Sequence, residues 1–108
     1  MILCVGVDVD SLKRRHQRLR EAGYSCDATM LTDASRAMQS ADYDMLIIGH
    51  KVSDEEARRV STRFRERSPE GKIVILHEGS RRAVDFADAV ITHIDDAENL
   101  LETVKLLA

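Results

Sequence analysis

Apolar runs and amphipathic stretches alternate five times along the chain. Residues 2–7 form a continuous apolar run with Gly6 near its end, which predicts a buried strand. Leu12, His16 and Leu19 then recur at helical spacing, with Asp10 or Ser11 placed to cap the helix and Gly23 placed to stop it. Residues 24–30 read as a weaker, alternating strand. A short helix containing Ala34, Ala37 and Met38 follows a cap at Thr32 or Asp33. Residues 44–49 are apolar on both faces, the mark of a central strand in a parallel sheet.

The second half repeats the alternation. Ser53 with Glu56 three residues on is a capping box, and it opens a helix whose inner face holds Ala57, Val60 and Phe64. Ser68-Pro69-Glu70-Gly71 makes a turn. Residues 72–77 and 89–93 read as the fourth and fifth strands, with a short helix over 80–86 between them. A last helix, capped by Asp95 or Asp96, carries Leu100, Leu101, Val104 and Leu107 inward. Strand–helix alternation of this kind predicts an α/β three-layer sandwich around a parallel sheet.

Composition narrows this picture. The 108 residues suit one domain, spanning 1–108, with enough apolar content (44%) for a core that needs neither disulfides nor metal. A net charge of −3 gives no whole-molecule attraction for nucleic acid or anionic membrane. There is no long apolar span or signal-peptide pattern, so a cytoplasmic location is expected. Cys4 and Cys26 both fall in apparent strands and form no CxxC pair; buried free thiols are the expectation, with a conditional disulfide as the alternative.

The landmarks Glu21-Ala22-Gly23-Tyr24, Tyr43-Asp44-Met45-Leu46-Ile47-Ile48 and Ala87-Asp88-Ala89-Val90-Ile91-Thr92, together with their spacing, resemble those of bacterial response-regulator receiver domains. The resemblance covers the whole chain. It implies a flavodoxin-like five-stranded parallel sheet in order 2-1-3-4-5, with the functional edge at the carboxyl ends of the strands. It also implies a place in two-component signal transduction.

The family's functional positions are replaced one after another. Receivers hold Mg²⁺ with an acid pair after the first strand; the matching residues are Gly6 and Val7, with Asp8 next. The phosphoacceptor place is Gly49. The Thr or Ser ending the fourth strand is His77, the aromatic switch residue is Val90, and the lysine and proline ending the fifth strand are His93 and Ile94. Phosphoryl transfer needs a carboxylate nucleophile, oxygen ligands for a divalent ion and a cation on the product. Glycine offers no nucleophile, and histidine is only a conditional cation, with an unperturbed pKa of about 6.5. The expectation is a pseudo-receiver that is not an enzyme, needs no cofactor and acts through protein partners: a signalling kinase, an output protein or a second copy. The family's partner face would carry over to Arg81, Arg82, Val84, Thr92 and the last helix.

A second class is a ligand- or metal-binding sensor. His50, His77 and His93 end three strands that are neighbours in the implied order, with Asp8 and Glu78 as carboxylates nearby. Imidazoles with a carboxylate suit zinc, but no HExxH, HxH or CxxC spacing supports it. A His77–His93 pair at the carboxyl edge with no bound metal is the plainer expectation, and a pH-responsive pocket is a third reading of the same residues. The basic runs Lys13-Arg14-Arg15, Arg18, Arg20 and Arg58 to Arg67 read as solvated helix faces on opposite sides of the sheet, so no nucleic-acid patch forms. His16 reads as a packing residue.

Overall fold

Five parallel strands lie in the order β2-β1-β3-β4-β5. They are β1 (Ile2–Gly6), β2 (Cys26–Met30), β3 (Met45–Ile48), β4 (Lys72–Leu76) and β5 (Ala89–Ile91). The helices are α1 (Val9–Glu21), α2 (Ala34–Ser40, entered through a 3-10 turn at Leu31–Asp33), α3 (Asp54–Arg67) and α4 (Ala97–Leu107). This computed structural model describes residues 1–76, 86–91 and 97–107. The predicted helix over 80–86, all but its last residue, and the predicted ends of β4 and β5 at His77 and His93 lie outside the described residues.

The period of two along a strand divides the core. Leu3, Val5, Leu46, Ile48, Ile73 and Ile75 face α2 and α3, where Ala34, Met38, Ala57, Val60 and Phe64 complete one layer. Ile2, Cys4, Met45, Ile47, Val74 and Leu76 face α1 and α4, meeting Leu12, Leu19, Leu100 and Val104. Every residue of β1 and β3 is buried, as expected for inner strands covered on both faces. The in-phase register Ile2↔Met45 and Met45↔Lys72 keeps the two sets apart across the sheet.

Several boundaries differ from the sequence reading. Asp8, not Asp10 or Ser11, caps α1, so the helix begins at Val9 and β1 ends at Gly6. Val7 is 41% exposed in the turn between them. The second strand begins at Cys26 rather than residue 24, because the Tyr24 N–H is used to close α1 on the Leu19 carbonyl at 3.0 Å. Gly23 has φ +96°, the left-handed conformation that suits glycine after a helix end. At α3 the Ser53 hydroxyl accepts from the Glu56 N–H at 3.2 Å, as the capping box predicts. Asp88 ties the far edge together. Its carboxylate accepts from the Ile73 N–H at 2.7 Å and from Arg65 at 2.8 Å.

Cys4 and Cys26 are buried free thiols on adjacent strands. Burial pushes the Cys4 thiol up to about 12 and raises that of Cys26 as well. Both should therefore be inert to a thiol reagent at pH 8 in the folded protein and both should react after denaturation; a fast-reacting native thiol would contradict this packing. A second check concerns Gly71. A Cβ there would lie 2.5 Å from the ring of Phe64, which is buried and cannot swing away. Gly71→Ala should cost about 1–3 kcal/mol by overpacking, read as a lowered denaturant midpoint at unchanged slope.

Candidate functional site at the carboxyl edge of the sheet

The tips of β1 and β3 are both glycine, Gly6 and Gly49, and the Gly49 N–H donates to the Val5 carbonyl at 2.9 Å. Two adjacent strand ends thus present no side chain toward the helix layer above. The first turn of α1 starts beside them. Asp8 holds it: Oδ1 accepts from the Asp10 N–H at 3.2 Å and the Ser11 N–H at 3.5 Å, and Oδ2 accepts from the Ser11 hydroxyl at 3.2 Å. From the loop after β3, Lys51 places its ammonium 3.2 Å from Asp8 Oδ2. The Lys51 hydrogen bond is the chief reason that the Asp8 carboxyl is pulled down to about 2.

One turn further along α1, Arg15 enters the space that the glycines leave. A Cβ on Gly49 would lie 2.6 Å from Arg15 Nη2, and one on Gly6 would lie 3.5 Å from the same atom. The guanidinium therefore fills the volume where a side chain at residue 49 would begin. Arg15 is only 8% exposed, and its Nε is sealed from solvent with no hydrogen-bond partner. Burial lowers its pKa, while the Cys4 thiol and Asp8 act in the opposite direction. An arginine keeps its proton in proteins even so.

The sequence reading placed Arg15 on a solvated helix face with Lys13 and Arg14; that was wrong. The buried side of α1 is Ser11, Leu12, Arg15 and Leu19. The signal was present in the spacing, because Arg15 lies three residues after Leu12 and four before Leu19, on one face of a helix. His16 is half-buried beside that face and contacts the Cys26 carbonyl through Nε2 at 3.0 Å, consistent with a packing residue.

The other candidates separate. Asp8, offered as a stand-in for the acid pair and as a metal ligand, is used as helix cap and ion-pair partner. Gly6, Val7 and Gly49 supply no donor side chain. His50 follows Gly49, is half-buried, and has its Nδ1 sealed without a partner. Among the described residues no three His, Cys, Asp or Glu side chains group as a metal site. His77, His93, Arg81, Arg82, Val84 and Thr92 lie outside the described residues. Also among these residues, no helix is long and apolar enough to cross a membrane.

The Asp8–Lys51 pair has a titration signature. A carboxyl whose folded pKa is depressed adds stability above its unfolded value, about 3.9 for a free aspartate, and loses it as pH falls toward the folded value. Melting temperature followed from pH 5 to pH 2 should fall less steeply in Asp8→Asn than in the parent. Identical slopes would mean that Lys51 does not hold Asp8 in solution.

No family model matches the sequence, and no curated protein matches it either. Solved structures do. The response regulator protein TrrA from Thermotoga maritima, in complex with Mg²⁺-BeF, superimposes with a TM-score of 0.80 at 24% identity, covering 99% of this chain and 97% of that one. A CheY-like receiver domain protein from Methanospirillum hungatei gives 0.80 at 20% identity over 97% and 90%. The chemotaxis response regulator CheY4 of Vibrio cholerae gives 0.80 at 19% over 99% and 97%. The chain has the receiver-domain fold, with the sheet order its sequence resemblance implies.

Proposed function

We propose that this domain is a pseudo-receiver: a cytoplasmic signal-transduction module that works by binding protein partners and carries out no phosphoryl transfer. The observation that supports it most directly is at the tip of β3. Residue 49 has no carboxylate, and the space in front of it holds the Arg15 guanidinium. A phosphodonor arriving there meets neither a nucleophile nor a place for a divalent ion. Asp8 is bound to Lys51 and to the first turn of α1. Asp44 lies at the opposite end of β3, 2.9 Å from the terminal ammonium of Met1.

A module without chemistry acts through its surfaces. Val90 on β5 is 39% exposed and Leu106 on α4 is 82% exposed. They sit on the two described elements of the face to which receiver resemblance assigns partners. A signalling kinase, an output protein or a second copy would dock there.

Incubation with acetyl phosphate and Mg²⁺ should leave the intact mass unchanged, and beryllofluoride should produce no spectral shift. A phosphoaspartate mapped to Asp8 or Asp44 would refute the proposal.

A further inference from the structure

We propose that the carboxyl edge, at the tips of β1 and β3, is a binding site for a small carboxylate monoanion, with the Arg15 guanidinium as its receptor. The site does not require the partner surface and goes beyond it.

The argument begins with an uncompensated charge. A cation taken out of water is costly unless it is paired and hydrogen-bonded. Arg15 is more than nine-tenths buried, and among the described residues it has no hydrogen bond or ion pair. The acid that acts on it among the described residues, Asp8, is already committed to Lys51 and to three donors of the first turn of α1. The Cys4 thiol is neutral at physiological pH and offers no counter-charge. Asp10 is exposed on the first turn of α1. Arg15, Lys51 and Asp8 together therefore carry one net positive charge, which one monoanion balances.

Geometry then selects the ligand class. The guanidinium is a flat fork of donors that matches a planar carboxylate with two parallel hydrogen bonds. Nε is the nitrogen that is sealed, so the η end is the approach. The two glycine tips put no side chain of their own against that end: a Cβ on Gly49 would lie 2.6 Å from Nη2 and one on Gly6 3.5 Å. A dianion would add a charge that the trio does not balance and would face Asp8 as well.

The test is a titration of the whole domain with sodium acetate at constant ionic strength, read from the Arg15 side-chain N–H resonance. The expected result is a saturable, one-to-one shift that is larger than with chloride or sulfate. Arg15→Gln should weaken acetate binding by about tenfold or more, the size of one lost charged hydrogen bond. Gly49→Asp keeps the assignment testable if that variant unfolds. It tethers a carboxylate against Arg15, whose Nη2 end is free to shift, and should abolish the acetate response while raising the melting temperature. An acetate response that survives Gly49→Asp or Arg15→Gln, an equal response to all three anions, or none in the parent would overturn the site.

Discussion

The Arg15 guanidinium can lie across the tips of β1 and β3 only because neither strand carries a side chain there. Nη2 stands 2.6 Å from where a Cβ on Gly49 would be, closer than nonbonded atoms tolerate. The glycine and the arginine are two halves of one packing solution. A side chain at 49 would force the guanidinium end to shift, and a neutral, shorter residue at 15 would leave the space in front of the glycines unfilled. The chemistry of the edge follows from this fit, since it fixes a permanent cation where the sheet opens to ligands in this fold.

The rest of the fold tolerates that cation because the edge is local. Below it, the two apolar layers run without a break from Ile2 to Leu76 on one face and from Leu3 to Ile75 on the other. Those layers cover both faces of the hydrogen-bonded sheet, and the polar groups inside them are few. Ser11, Arg15 and Ser61 are the buried polar residues among those described. Ser11 and Arg15 share the inner face of α1, and Ser11 is bonded to Asp8. The first turn of α1 is therefore a polar insertion in an otherwise dry interface, tied down by the Asp8 cap.

Much of this was legible in the residues. The parallel sheet followed from strand–helix alternation, its strand order was what the receiver resemblance implies, and the inner strands declared themselves by being apolar on both faces. The α3 cap at Ser53 and the stop at Gly23 depend on local rules and appeared where those rules put them. Boundaries shifted by one or two residues where a backbone group served two elements, as at Tyr24, whose N–H belongs to the end of α1 rather than to β2. Arg15 was missed for a different reason. Composition assigns arginine to water, and only the vacancy created by glycines 34 and 9 residues away in sequence, at 49 and 6, gives it a place inside. Helical spacing allowed Arg15 and His16 equally, and tertiary space decided between them.

The departures from the receiver pattern at this edge are therefore not independent losses. In the pattern that the sequence resembles, an acid pair and an acceptor aspartate gather negative charge, and a divalent cation from solution neutralises it. Here Gly6, Val7 and Gly49 remove that charge, while Arg15 and Lys51 bring positive charge on the chain itself. One acid, Asp8, remains and is answered by Lys51. The electrostatic problem of the edge has changed sign. On the reading proposed above, the positive charge of Arg15 and Lys51 stands where a divalent ion would otherwise be needed, and the edge takes a species of negative charge from solution. Gly49 and the buried Arg15 are then the two ends of a single contact.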